Sequence, residues 1–438
     1  MKKTILTALA AAIAGTGVLM AEGYQVNTLS AKQIGMGTTG TALKLGSESM
    51  YFNPAGMAYM DKALDLSGSV AFNIPKATAT VGGDKYHTAN QTSTPLMVNA
   101  GFSIYKNLKA GISFYTPYGS AIDWGMNWPG AVLSQNVELK VYTVQPTFSW
   151  AICDKLSVGA GFMVAWGSEN LTKGLIPTAS FDGMLQAQGL NDGAMGVNPV
   201  SVNLKGTAKV AVGANIGVMY TVNKHLTFGA SYRTKMNMKV ESGDAKVSYS
   251  RAAAEALLEK TLLPINESRF SAEMPAPWVL SLGVAYKPIE RLTLAFDARL
   301  TGWNAYKHLV IDFDGAKQFN QDITKKYSNS WAFAVGGQFA LTNRFDLRAG
   351  LMVDTTPVND LHYNPETPGM TKIEPTFGLS FRPIKSLSID FGFMYVAGMG
   401  KKDAVCDYTD MLTQKQMEFK ADYNLHAFVP SLGISFSY

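Results

Sequence analysis

Few residues in this chain combine the types and spacing that chemistry needs. Gly35-Met36-Gly37-Thr38-Thr39-Gly40 matches the dinucleotide fingerprint, in which glycines let the backbone approach a pyrophosphate. That reading requires a parallel strand–helix unit, and none surrounds these residues. Asp312-Phe313-Asp314-Gly315 begins like a calcium loop but lacks the later ligands, so it reads as a turn. The five histidines (His87, His225, His308, His362 and His426) have no metal-ligand spacing, and no metal or other cofactor is expected. No G-x-S-x-G elbow marks a lipase. An enzyme is therefore not expected. What remains is a scattered set of charges, Arg233, Asp297, Arg299, Asp346, Arg348 and Asp390, whose meaning depends on which side of a strand they occupy.

That side is fixed by an alternation of period two. Over residues 207–220 the even positions are Ala208, Val210, Val212, Ala214, Ile216, Val218 and Tyr220, and the odd ones are mostly small or polar. Leu292, Leu294, Phe296, Ala298 and Leu300 alternate with Thr293, Ala295, Asp297 and Arg299, and the final run ends with Leu432, Ile434, Phe436 and Tyr438. One face is bulky and apolar; the other is small, glycine-rich or charged. A soluble sandwich turns its polar face to bulk water, and that face tends to carry Lys, Glu and Thr. Bulky residues outward and small ones inward suit a barrel surrounded by lipid.

Composition agrees. Only 16% of the 438 residues are charged, against about a quarter in typical soluble domains. Beyond the N-terminus no apolar run approaches the roughly 20 residues of a spanning helix. A net charge of +5, scattered along the chain, gives no footprint for nucleic acid. Lys2-Lys3, a small apolar stretch over residues 4–20 and Val18-Leu19-Met20-Ala21 form a signal peptide, residues 1–21, cleaved before Glu22. An exported chain without apolar spans that alternates in this way is expected in the outer membrane of a Gram-negative bacterium.

The connections make the strands countable. Tight links at 105–108, 153–155, 222–225, 287–291, 342–344 and 383–386 alternate with longer polar stretches at 82–92, 119–136, 173–201, 241–269, 308–326, 354–371 and 398–415. Six short turns and seven long loops give an all-β, antiparallel barrel of about 14 strands over residues 63–438. Cys153 then lies in a periplasmic turn and Cys406 in an outer loop, so no disulfide is expected. Residues 251–263 read as a helix stopped by Pro264, and residues 178–190 carry a second mixed apolar pattern; either could offer a greasy landing surface or merely cover the barrel mouth. A lumen of this width leaks unless filled. Residues 22–62, glycine-rich and too irregular for a strand, are placed to be a hatch inside it.

Here a family resemblance enters. Glu22-Gly23-Tyr24-Gln25-Val26-Asn27, the glycines up to Gly40 and above all Tyr51-Phe52-Asn53-Pro54-Ala55-Gly56-Met57 resemble the start of the FadL/TodX family of outer-membrane transporters of long-chain fatty acids and other hydrophobic compounds. Tyr115-Thr116-Pro117-Tyr118-Gly119 with Trp128-Pro129-Gly130, and later Gly229-Ala230-Ser231-Tyr232-Arg233 and Met274-Pro275-Ala276-Pro277, extend the resemblance along the mature chain. It implies that Asn53, Pro54 and Ala55 form the hatch motif. It also implies capture of cargo at the outer loops, an apolar pocket above the hatch, and sideways exit beside an inward kink of the third strand. Pro117 and Gly119 are the kink candidates, since each weakens ladder pairing. Fatty-acid members hold the carboxylate with basic lumen residues; where one is expected, Phe162–Ser168 offers Ser168 instead. Arg233 and Arg299 are then the head-group candidates, unless these inward charges pair with one another or tie down the hatch. The expectation is a passive, monomeric importer of hydrophobic molecules, most of all long-chain fatty acids, in contact with outer-membrane lipid. A diffusion porin or a surface adhesin is the alternative.

Overall fold

The computed structural model describes residues 23–438; the signal peptide expected over 1–21 lies outside the described residues. Fourteen antiparallel strands close on themselves. In chain order they are strand 1 (Leu64–Ala71 and Ile74–Val81), strand 2 (Asp84–His87 and Leu96–Tyr105), strand 3 (Leu108–Asp123), strand 4 (Asn136–Ala151), strand 5 (Leu156–Gly174), strand 6 (Val200–Thr221) and strand 7 (Leu226–Arg233 and Met236–Tyr249). There follow strand 8 (Arg269–Ala276 and Val279–Ile289), strand 9 (Leu292–Thr301 and His308–Phe313), strand 10 (Gln321–Thr324 and Ser330–Ala340), strand 11 (Phe345–Asp354), strand 12 (Lys372–Ile384), strand 13 (Leu387–Gly398 and Lys401–Thr409) and strand 14 (Gln416–Ser437). Strand 1 closes the barrel on strand 14, from Asp65 opposite Ser437 to Thr80 opposite Asp422. Closure removes every sheet edge, which a bilayer demands of strands.

The alternation resolves as expected. Val210, Val212, Ile216, Val218 and Tyr220 are exposed on the outer face, as are Leu294 and Phe296, while Asp297 and Arg299 are buried inside. Several strands run further outward than their apolar pattern. Strand 7 reaches Tyr249 within the stretch expected to be loop from 241, strand 3 reaches Asp123 rather than ending near Gly119, and 308–326 and 398–415 each contain strand. Past the lipid both faces of a strand meet polar surroundings, so the alternation that reveals strands fades while the ladder continues.

Residues 23–60 lie inside the barrel, folded into the short helices Ala31–Ile34 and Ser49–Phe52 and the 3-10 turns Gly46–Glu48 and Pro54–Tyr59. The wall facing them is stripped of side chains. Five glycine pairs sit opposite one another across neighbouring strands: Gly101 with Gly111, Gly159 with Gly217, Gly229 with Gly283, Gly336 with Gly350, and Gly378 with Gly392. A Cβ on Gly378 would come within 2.9 Å of the Gly35 Cα, and one on Gly159, Gly229, Gly336 or Gly392 would strike backbone of the inner segment. Backbone thus lies directly on backbone around much of the lumen. Gly37 itself has φ of +64°, a conformation that suits glycine.

One helix departs from expectation. Pro264 does not stop the helix of the fourth outer loop, which runs from Ala252 to Asn266 with Pro264 inside it. The last turn is held from outside: Ser268 Oγ donates to Pro264 O at 2.6 Å, Val247 N donates to Asn266 Oδ1 at 2.6 Å, and Ile265 is buried. Tertiary contacts here outweigh the hydrogen bond that proline removes.

Candidate functional site

The site is built where strand 3 leaves its neighbour. Its ladder with strand 2 runs from Leu108 to Tyr115, opposite Met97, and ends with Leu96 N donating to Thr116 Oγ1 at 3.1 Å. Against strand 4 the register slips between Tyr115 and Tyr118, a bulge with one extra residue in strand 3. Pro117 contributes no N–H to the ladder, and its carbonyl turns to the inner segment instead. Val26 N donates to Pro117 O at 2.8 Å and Gly119 N donates to Tyr24 O at 2.9 Å, with Gln25 paired antiparallel to Tyr118. The start of the inner segment therefore occupies the ladder position that strand 2 has vacated. Beyond it the contact with residues 84–95 resumes at Asp123, where Ala89 N donates to Asp123 O at 2.8 Å and Asp123 N donates to Asn90 Oδ1 at 2.7 Å.

Behind this seam lies a largely apolar cavity, lined by Ser120 of strand 3, Leu139, Leu171, Leu204, Phe270, Met274, Leu309 and Ile311. Tyr24 and Tyr306 form part of its wall. The Tyr24 ring stands edge-on to Trp303 (4.8 Å between centroids), Tyr306 (5.9 Å) and Tyr118 (6.2 Å), and its hydroxyl donates to Pro275 O. The wall's polar part is mostly charged: Glu138 (paired with Lys140 at 2.5 Å), Glu169, and a Lys325–Glu366 ion pair of 2.6 Å with both side chains buried. No local pattern could have flagged Lys325 and Glu366. They come from two outer connections, over 308–326 and 354–371, that reach the same wall only in the folded barrel.

Arg233 and Arg299 both point inward, but neither lines this cavity. Arg233 donates to Tyr51 O at 3.1 Å, and its guanidinium stacks 4.3 Å from the Tyr51 ring centroid. Arg299 donates to Asn27 Oδ1 at 3.1 Å and to Thr38 Oγ1. Asp297 accepts from Gly40 N (2.8 Å), Thr41 N (3.0 Å) and Thr41 Oγ1 (2.8 Å). Asp346, Arg348 and Asp390 join Arg382 and, through Lys32, Glu48 in one buried ion network. The six inward charges singled out from the sequence are thus spent on the inner segment or on each other. Asn53 caps the turn that follows by accepting from Ala55 N at 3.1 Å. Pro54 occupies the first position of that turn, and Ala55 O accepts from Ser149 Oγ (3.3 Å) and Ser157 Oγ (3.0 Å).

The outer mouth is covered by interlocked loops. Arg251, fully buried at its side chain, grips Asp192 with two donors at 2.8 and 2.7 Å and Asp182 with a third at 2.5 Å, over the face of Phe181. That clamp joins the helix Thr178–Ala187 to the start of the helix Ala252–Asn266. The Arg251 hydrogen bonds hold the Asp192 carboxyl below its ordinary range. Ser180 Oγ donates to Asp410 Oδ2 at 2.6 Å and Trp124 Nε1 to Pro365 O at 3.0 Å, tying in further loops. Asp312 and Asp314 accept from Asn320 Nδ2 and Arg269 N, both at 2.8 Å, as turn residues do. Among the described residues no cluster of three or more His, Cys, Asp or Glu could hold a metal, and no helix is long and apolar enough to cross a membrane.

A closed barrel with a filled lumen and a strand 3 that bulges and parts from strand 2 invites comparison with known proteins. The family model described as "Outer membrane protein transport protein (OMPP1/FadL/TodX)" matches residues 12–438. The chain belongs to the FadL/TodX family. It is 21% identical over 432 residues to the long-chain fatty acid transport protein of Escherichia coli K12, covering 92% of this chain and 94% of that one. Its fold is similar to the crystal structure of a Pseudomonas aeruginosa FadL homologue (TM-score 0.78, 19% identity, covering 95% and 99% of the two chains). It is also similar to that of the toluene transporter TodX of P. putida (TM-score 0.70, 16% identity, 96% and 99%). Family membership makes this an outer-membrane transport protein and not an enzyme.

Proposed function

We propose that the chain admits hydrophobic molecules passively, holds them in the cavity behind strand 3, and releases them sideways into the bilayer. Residues 23–60 act as the hatch. The observation that carries this reading is the pairing of Tyr24 and Val26 with Gly119 and Pro117, because Tyr24 both walls the cavity and helps to close the seam. Cargo that displaces the Tyr24 ring pulls on a strand held to the wall by only two backbone hydrogen bonds, each worth about 1 kcal/mol net. An apolar molecule leaving through that seam never meets bulk water, which a water-filled pore would force on it. A porin needs an open lumen, whereas residues 23–60 occupy this one; an adhesin has no use for a vacated ladder.

The cargo class is long-chain hydrophobic molecules, of which long-chain fatty acids are the first to test. The E. coli relative bears that name, and Lys325 offers an ammonium at the wall of an otherwise apolar cavity. A neutral cargo is favoured by one observation: Glu366 already neutralises Lys325. The test of the route is a Gln25→Cys/Tyr118→Cys double variant in outer-membrane vesicles. Oxidation should stop uptake of a fluorescent long-chain fatty acid and of a neutral hydrocarbon alike, and reduction should restore both. Uptake unchanged by the cross-link sinks lateral release.

A further inference from the structure

Glu366 has a second carboxylate oxygen that the ion pair does not use. Oε2 accepts from Lys325 Nζ at 2.6 Å, whereas Oε1 is buried, lines no hydrogen bond among the described residues, and belongs to a side chain on the cavity wall. The residue is 5% exposed, so water does not satisfy that oxygen cheaply. Its loop is pinned on both sides. Glu366 N donates to Asn364 Oδ1 at 2.9 Å, Trp124 Nε1 holds Pro365 O, and the Tyr327 and Thr367 hydroxyls share a hydrogen bond of 2.6 Å.

We propose that Glu366 reads the head group of the cargo, its free oxygen accepting a hydrogen bond from a neutral donor, so that the cavity prefers hydrophobic molecules ending in a hydroxyl over those ending in a bare carboxylate. This rests on the cavity being the cargo site, and it names the class of cargo for that site. A hydroxyl placed at Oε1 satisfies an orphaned acceptor while leaving the Lys325 pair intact. A carboxylate has no donor to give. To be held it must share the Lys325 ammonium with Glu366, which sets two buried carboxylates against one cation on a wall where Glu169 is a further acid. Two molecules with the same tail meet the same apolar side chains, among them Leu139, Leu171, Phe270 and Ile311. Discrimination therefore falls on this one oxygen.

The test is binding of oleyl alcohol and of oleate, which share a tail, to purified full-length protein in nanodiscs, for the native sequence and for Glu366→Gln. The native protein should bind the alcohol about tenfold more tightly than the carboxylate, the ratio that roughly 1.4 kcal/mol gives. In Glu366→Gln, the amide supplies a donor and Lys325 is freed, so the preference should reverse toward oleate by a similar factor. Oleate bound more tightly than the alcohol by the native protein overturns the proposal without any variant, as does a ratio that Glu366→Gln leaves unchanged. Glu366→Leu, which replaces the carboxylate with an apolar side chain, should abolish the alcohol's advantage. Native protein that binds neither molecule overturns the cargo-site reading itself, and the proposal with it.

Discussion

Asn53 donates one hydrogen bond from its side chain to the carbonyl of Val218 in strand 6, at 3.1 Å, and another at 2.7 Å to Thr41 within the inner segment. One buried amide therefore fastens the inner segment to itself and to the wall. The neighbouring Gly217 leaves the room for it, since a Cβ there would collide with Asn53 Oδ1. Asn53→Ala removes the cap and leaves both carbonyls without that donor, a loss of about 1–3 kcal/mol. The expected outcome is a lower unfolding temperature and raised single-channel conductance in planar bilayers. Wild-type conductance from this variant would show that the hatch does not depend on Asn53.

Gly350→Ala tests the glycine lining from the other side of the barrel. A methyl there meets Gly37 N and the Met36 carbonyl carbon, which have nowhere to retreat. Overpacking of this kind typically costs about 1–3 kcal/mol. Hydrogen exchange of residues 35–41 should accelerate, while that of the outer loops stays as it was.

Asp297 supplies one carboxylate to three donors of Gly40 and Thr41. Asp297→Ala leaves all three unsatisfied in a buried place, so it should loosen the inner segment more than Asp297→Asn, which keeps an acceptor oxygen. Limited proteolysis from the periplasmic side reads this directly: cleavage within residues 36–45 is expected in the alanine variant first.

Arg251 makes the outer cap sensitive to acid. Its hydrogen bonds lower the pKa of Asp192 below the ordinary value near 3.8, so the carboxylate binds fewer protons folded than unfolded. The stability this contributes is present above that ordinary value and is lost as pH falls through the lower folded one. Exchange protection of residues 178–192 should therefore hold from pH 7 down to about 4 and fall below it. Arg251→Met should show low protection at every pH, because it leaves Asp182 and Asp192 without their partner.

The strand count, the alternation and the family motif were legible in the chain because each is local. Lipid on one side and packed lumen on the other impose a period of two that survives without any knowledge of neighbours. So Val210, Phe296 and Ile434 announce their outer face from sequence alone, and Asn53-Pro54-Ala55 announces the family resemblance. Strand ends were less legible, as Tyr249 and Asp123 illustrate, because above the lipid that contrast disappears.

What only the tertiary structure decided are the pairings between residues far apart in the chain. That Arg233 belongs to Tyr51 and Arg299 to Thr38 follows from where residues 23–60 lie within the lumen, which alternation cannot report. That Pro117 faces Val26, and that Lys325 pairs with Glu366 on the wall of an apolar cavity, depends on barrel closure and loop docking. Side-chain periodicity tells which way a residue points. Which partner waits there is set by the register and by the burial of polar groups that must each find one.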